Sequence, residues 1–342
     1  LMARWKGTLA HFYLSVIPWL FVPDSKIGWL PYAGRLGGPI CQDHGVSVLF
    51  STSSPITSHL IAHRLKRLTG IPWVADFRDL WVGFPGYKPK SRIHSRLEKW
   101  IEGRIMANAD RIIANTDVSR EVMLDTYPTL NPDHVITIPN GYDEADFLDL
   151  HGRPAEARFT ITYTGNFYGN RNPINLFAAM EELLGKRPDV MKDILFRYIG
   201  PPTPFLQSDS WPERLKGSIQ VEPYLPHRRS LEALSESDVL LLIDAPEFNV
   251  NIPGKVYEYL RIGRPILALI PTGATSDLLD RTGGARIVNP EDISAIADAI
   301  LALYEFSKSP SPTREPDSGE VARFERRNLT SKLSRVFDAV GL

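Results

Sequence analysis

Two patterns of apolar and polar positions alternate along the chain. Short, nearly unbroken apolar runs read as buried strands. Between them, apolar residues recur three and four apart, the spacing of a helix that buries one face. The first series places strands at 46–50, 72–75, 111–114 and 135–138, with helices at 58–68, 93–108 and 117–126 between them. A polar stretch at 141–158 reads as a linker. The second series places strands at 159–163, 194–199, 218–221, 239–243, 265–270 and 285–288. Helices fall at 174–184, 230–235, 276–281 and 293–306, and one more opens at Pro253. Strands separated by helices of this length imply right-handed crossovers and parallel sheets, an α/β fold in two domains. Residues 1–40 carry little strand signal and read as a helix followed by a loop rich in Pro and Gly (Pro31, Gly34, Gly37, Gly38, Pro39). The segment 307–319 reads as a tether and 321–340 as one last amphipathic helix, with Phe324, Leu329, Leu333, Val336 and Phe337 as its buried positions.

The stretch 251–265, Asn-Ile-Pro-Gly-Lys-Val-Tyr-Glu-Tyr-Leu-Arg-Ile-Gly-Arg-Pro, has both helix ends written into it. Pro253 and Gly254 open the helix, Gly263 suits a left-handed cap, and Pro265 forbids continuation. With strands on both sides, the helix N-terminus faces the end of a sheet. Its first N–H groups, at Gly254, Lys255 and Val256, form an anion site to which the Lys255 ammonium adds a full charge. Glu258, one turn further in, is placed to accept hydrogen bonds from sugar hydroxyls. The plainer alternative pairs Glu258 with Lys255 or Arg261 along the helix.

Composition removes other classes. Among 342 residues, 39 Lys and Arg against 40 Asp and Glu leave a net charge of −1, so no global basic field points to nucleic acid. A single cysteine, Cys41, excludes a disulfide scaffold and a cysteine metal site and suits a reducing compartment. No apolar stretch is long enough to span a membrane. The longest candidate, 9–22, is interrupted by His11, Ser15 and Pro18 and reads as a packed helix, with an interfacial helix as the alternative.

Four motifs occur in order: Pro72-Trp-Val-Ala-Asp-Phe-Arg-Asp-Leu-Trp81, Ile138-Pro-Asn-Gly-Tyr-Asp143, Tyr163-Thr-Gly-Asn166 and Pro253-Gly-Lys-Val-Tyr-Glu-Tyr-Leu-Arg-Ile-Gly-Arg-Pro265. Together, over 45–340, they resemble glycosyltransferase family 4. The resemblance implies the GT-B fold, two Rossmann-like doubly wound domains facing across a cleft, with 1–143 as the acceptor-side domain and 144–320 as the donor-nucleotide domain. The helix 321–342 would cross back to the first. Four strand signals against six lead us to expect that the N-terminal domain lacks its first strands. The activity implied is retaining transfer from a nucleoside-diphosphate sugar, UDP- or GDP-linked, to a glycan, lipid-linked or small-molecule acceptor, in polysaccharide or glycoconjugate synthesis. No cofactor and no metal would be used. The expected location is cytoplasmic, with peripheral contact at the inner face of the membrane.

The resemblance also assigns residues. Arg171 stands where the family has a lysine on the donor pyrophosphate, and Asn166 stands where it has an arginine, so Lys255 is expected to supply the second charge. Gly165 and Asn166 belong to that donor loop. Tyr224 and Leu225 lie where the nucleotide base is received, largely through main-chain contacts. Pro253, Gly254 and Val256 face the phosphates, and Glu258 holds the ribose. The glutamate that orients the transferred sugar would fall at Val250, leaving Asp244 or Glu247 as substitutes. Arg78 and Asp79, expected as catalytic residues beside Arg171 and Lys255, match a His-Asp pair of the first domain, with arginine in the histidine's place. Two other classes stay open: a non-catalytic binder of nucleotide sugars or glycans, and a GT-B sugar-nucleotide epimerase.

Overall fold

The computed structural model describes residues 21–150, 158–206, 211–309 and 315–341. The chain divides into two compact units. One runs to Pro139 and takes in Thr330–Leu342; the other is Asn140–Leu329.

In the first unit four parallel strands, β1 (Leu49–Ser53), β2 (Trp73–Phe77), β3 (Arg111–Ala114) and β4 (Val135–Thr137), lie side by side in sequence order. The helices α1 (Trp29–Asp43), α2 (Thr57–Thr69), α3 (Arg92–Asn108) and α4 (Asp117–Thr126) precede or connect them. Ser91 and Thr116 cap α3 and α4 by accepting the N–H groups of His94 and Ser119, and Gly70 closes α2 at φ 73°. Trp73, Val74, Phe77, Ile112 and Ile113 form the buried centre.

Three expectations are corrected here. The Pro/Gly-rich loop ending at residue 40 is helix α1, continuous through Gly34, Gly37, Gly38 and Pro39. Packing overrides propensity, because a Cβ at Gly34 would stand 2.4 Å from Arg64 Nε and one at Gly37 2.7 Å from Leu65 Cδ2. The first strand, expected at 46–50, starts at Leu49 and runs on through Ser51 to Ser53. Both serines are buried, and Ser51 Oγ is held by His59 Nδ1 at 2.7 Å and by the Trp73 indole N–H at 2.8 Å. Likewise β2 includes Asp76 and Phe77.

The second unit is one six-stranded parallel sheet: β5 (Phe159–Thr164), β6 (Ile194–Ile199), β7 (Ile219–Glu222), β8 (Val239–Ile243), β9 (Ile266–Leu269) and β10 (Ala285–Val288), in the order β10-β9-β8-β5-β6-β7. The order reverses between β5 and β8, the topological switch point at which doubly wound sheets bind ligands. The helices are α5 (Ile174–Lys186), α6 (Pro188–Met191), α7 (His227–Ser235), α8 (Gly254–Ile262), α9 (Ala274–Thr282) and α10 (Ile293–Ser307). One apolar cluster lies around Ile161, Phe196, Leu241 and Ile300, and a second around Leu240, Tyr257, Leu260 and Leu278.

The expected single last helix is two, α11 (Ser318–Ala322) and α12 (Arg326–Gly341). The break pairs with the start of the unit: Tyr142 N–H donates to Phe324 O at 3.1 Å and Arg326 N–H to Tyr142 O at 2.9 Å. From Thr330 onward α12 counts with the first unit, where Lys332 Nζ donates to Thr137 O at 2.7 Å and the Phe337 ring meets that of Phe50 at 5.5 Å.

Candidate functional site

The site is built in the second unit from the carboxyl ends of β5 and β8 and the N-terminus of α8. After Thr164 the chain turns at Gly165, φ 111°, and Phe167 tucks under it, stacked on Tyr163 at 4.2 Å and on Tyr198 at 5.2 Å. A tight turn follows, with Tyr168 and Arg171 exchanging backbone hydrogen bonds of 3.0 Å around Gly169, φ 56°. This delivers Arg171 over the end of β8. Its Nε and Nη2 both lie 2.7 Å from Asp244 Oδ1, its Nη1 donates to the Tyr168 hydroxyl, and its guanidinium rests 3.8 Å from the centre of the Phe248 ring. The solvated surface charge that a polar loop would suggest is therefore excluded for Arg171.

Asp244 is buried. Its Oδ1 also accepts the Ala245 N–H at 2.7 Å, whereas Oδ2 has no partner among the described residues. Burial pushes this carboxyl above its usual pKa range, and the Arg171 charge holds it back in part.

Lys255, in the first turn of α8, donates to Thr164 O at 2.6 Å and lies 4.0 Å from the centre of the Tyr163 ring. A Cβ at position 165 would come within 3.1 Å of its ammonium, so glycine there keeps the approach open. Burial, and next the Arg171 charge, lower the Lys255 pKa to about 8, with Glu258 and Asp244 opposing. Two cations are thus forced into one crevice, and the fold bears the cost of their desolvation.

Pro253 opens α8 without a side-chain cap, and Gly263 closes it at φ 78°, as the sequence predicts. The expected trio of first-turn donors is reduced: Val256 N–H already donates to Pro253 O at 3.0 Å, leaving Gly254 and Lys255 as the N–H groups for an anion. Neither of the helix-internal pairings of Glu258 forms. Its Oε1 lies 2.9 Å from His227 Nε2, Lys255 turns to β5, and Arg261 pairs with Glu144, Nε to Oε2 at 2.7 Å. His227, the first residue of α7, follows the exposed Tyr224 and Leu225–Pro226, so the 224–226 loop and Glu258 meet through it. Asp146 lies 3.9 Å from its other nitrogen.

Asn166 is exposed, and its carbonyl accepts the Tyr163 hydroxyl at 3.1 Å. Val250 is buried. Of its two substitutes, Asp244 holds Arg171, and Glu247 accepts from the Asn170 amide at 3.1 Å. Phe248 and His227 are partners that sequence reasoning did not assign. Asp244, named there only as a substitute for the carboxylate missing at Val250, stands as the partner of Arg171.

Arg78 and Asp79 lie in the first unit, at the exit of β2. Arg78 Nη1 is 3.3 Å from Asp76 Oδ1 and donates to Ile138 O at 3.1 Å, and Nη2 donates to Pro139 O at 3.4 Å. It forms an ion pair with Asp76, itself hydrogen-bonded by Thr52 at 3.0 Å. Asp79 is exposed.

A doubly wound sheet with paired cations at its switch point defines a class, the α/β proteins that hold phosphorylated ligands in such a crevice. Comparison with known proteins narrows it. Residues 3–146 match the domain described as Glycosyltransferase Family 4, and residues 158–305 match Glycosyl transferases group 1. The chain belongs to the family 4 glycosyltransferases of GT-B fold. D-inositol 3-phosphate glycosyltransferase 1 of Catenulispora acidiphila is 24% identical over 264 residues, 70% of this chain and 60% of that protein. A D-inositol 3-phosphate glycosyltransferase of a Nocardioides species is 22% identical over 60% of this chain and 48% of its own length. The chain thus spans roughly half the length of these relatives. Among solved structures, a glycosyltransferase from Rickettsia africae superposes with a TM-score of 0.68 at 12% identity, over 90% of this chain and 80% of that one. Anabaena Alr3699/HepE in complex with UDP and glucose superposes with a TM-score of 0.62 at 14% identity, over 92% and 83%.

Proposed function

We propose that this protein is a retaining glycosyltransferase that moves a sugar from a nucleoside-diphosphate sugar to a glycan, lipid-linked or small-molecule hydroxyl. The observation that carries the reading is the convergence of Arg171, Lys255 and the α8 N-terminus at the switch point of the second unit. Departure of a nucleoside diphosphate builds negative charge on the leaving oxygen, and preorganised cations and N–H groups in a closed crevice stabilise it. Arg171 arrives pre-aimed by Asp244, while Lys255 and the Gly254 and Lys255 N–H groups complete the cradle. Glu258 takes the ribose hydroxyls, exchanging its His227 contact for them. The orphaned Asp244 Oδ2 accepts a hydroxyl of the transferred sugar in place of the carboxylate missing at Val250. Tyr224 and Leu225 flank the base. The acceptor attacks from the leaving-group side, and the departing phosphate takes its proton. Neither metal nor cofactor enters this scheme. Arg78 acts as a positioning residue that holds the exit of β4.

The UDP-bound Anabaena neighbour favours a uridine donor, and the inositol-phosphate relatives favour a small phosphorylated acceptor. The test is release of nucleoside diphosphate from UDP- and GDP-sugars, with and without inositol phosphate or a glycan, in EDTA. Turnover in EDTA is expected. Activity lost in EDTA and restored by Mn²⁺ or Mg²⁺ would overturn the metal-free step. The buried Val250 favours a second reading, a non-catalytic binder, which predicts tight sugar-nucleotide binding and no release with any acceptor.

A further inference from the structure

Helix α3 of the first unit divides its charges by sign. Its two acids, Glu98 and Glu102, are buried. Glu102 accepts the Val82 N–H at 3.3 Å and the Tyr127 hydroxyl at 2.6 Å, and Glu98 accepts the Tyr87 hydroxyl. The opposite face holds no acid. There Ile93, Leu97 and Trp100, at i, i+4 and i+7, stand 76%, 40% and 57% exposed. Arg92, Arg96, Lys99 and Arg104 are exposed around them, and Lys88 and Lys90 on the approach to the helix are exposed as well. Arg104 lies over the Trp100 ring at 5.1 Å. A chain of net charge −1 has gathered six cations around one apolar row.

We propose that this face of α3 docks on an anionic lipid surface. Two features must be matched at once, an apolar row and a ring of cations. A nucleic-acid backbone would take the cations and leave Ile93 and Leu97 against water. A second copy, meeting this face with its own, would bring cations against cations. The boundary of an anionic bilayer takes both: Ile93, Leu97 and Trp100 enter the acyl edge, and the Lys and Arg stems reach back to the headgroup phosphates. The neighbouring helix continues the surface. Right-handed crossovers put α2 and α3 on one side of the sheet, and α2 exposes Leu68 at 59% beside Arg64 and Arg67. This assignment is independent of the transferase reading, because binding to lipid is measured without turnover, and it differs from an attachment through residues 9–22.

The test is sedimentation of the full chain with vesicles of phosphatidylcholine alone and of phosphatidylcholine with phosphatidylglycerol, at low and high salt. Binding is expected to the phosphatidylglycerol vesicles only and to weaken with salt. Ile93→Ser with Trp100→Ser should lower the partition coefficient at least about tenfold. Arg92→Gln with Arg96→Gln should lower it about fivefold per cation removed. All four positions are exposed, so melting temperature and nucleoside-diphosphate affinity should stay at the parent values. Absence of binding to phosphatidylglycerol vesicles would overturn the proposal. So would binding that none of these substitutions changes, which would place attachment elsewhere in the chain. Self-association in gel filtration that the same substitutions abolish would make a second copy the occupant and would overturn it too.

Discussion

Lys255 is held where its own charge is disfavoured. Burial and the Arg171 guanidinium lower its pKa from the ordinary lysine value to about 8. Between about pH 8 and the unfolded lysine value near 10.4, the unfolded chain therefore binds more protons than the folded one. In that window this group's contribution to stability rises with pH, since the folded state sheds a buried charge. Diphosphate affinity runs the other way, because the free protein loses the cation that the ligand needs. Affinity should fall up to about tenfold per pH unit above about pH 8. Lys255→Arg, which stays charged, should flatten the profile. Titration calorimetry of both proteins across this range is the check, and a flat profile in the parent would contradict the assignment. Asp244 poses the complementary case. Its Oδ1 gathers Arg171 Nε, Arg171 Nη2 and the Ala245 N–H in a buried place. Asp244→Ala leaves the guanidinium without its counter-charge and should cost about 3 kcal/mol, read by urea unfolding, while loosening diphosphate binding through Arg171. Unchanged stability and affinity would show that Asp244 does not position the cation. The sequence made Arg171 and Lys255 legible, because a loop after a first strand and a Pro-Gly-Lys helix start are local signals. It did not show the Arg171–Asp244 pairing, which arises only when β5 and β8 are brought side by side across 73 residues of chain.

Among the elements, strands made of apolar residues were legible at both ends, as at 111–114, 194–199 and 239–243. The misread ones carry buried polar residues or helical glycines. In β1 the Ser51 hydroxyl is satisfied by His59 and Trp73 from other elements, a partnership that no pattern of hydrophobicity reveals. In α1 the glycines look like loop residues until α2 is packed against them. His227 was missed because the sequence pattern starts α7 at Ser230, three residues late. Space around individual glycines makes this testable. A Cβ at Gly38 meets nothing within 4 Å, so Gly38→Ala should stabilise α1 by about 1 kcal/mol through helix propensity. A Cβ at Gly141 would lie 1.9 Å from Phe324 O, in the backbone pairing that breaks the last helix. Gly141→Ala should destabilise by about 3 kcal/mol, as overpacking against a rigid backbone does at its upper end. Thermal melts of the two variants should move in opposite directions, and equal shifts would refute the packing argument.

For the whole molecule, two α/β units were readable from alternation alone, and the family from four motifs in order. The donor identity was not, because at Tyr224 and Leu225, where the resemblance would place the base, main-chain contacts are expected and the side chains carry no code for it. The account rests on one physical claim, that Arg171 and Lys255 clamp the same diphosphate at the switch point of the second unit. A double-mutant cycle on UDP and GDP affinity tests it, using Arg171→Ala, Lys255→Ala and both together in the full chain. Each single variant should weaken the preferred nucleotide by about 1.5–3 kcal/mol, the value of a hydrogen bond to a charged group. The pair should be non-additive by at least about 0.5 kcal/mol, because the two cations share one ligand. Single variants that bind both nucleotides like the parent, and a double variant that does the same, would mean that the diphosphate sits elsewhere.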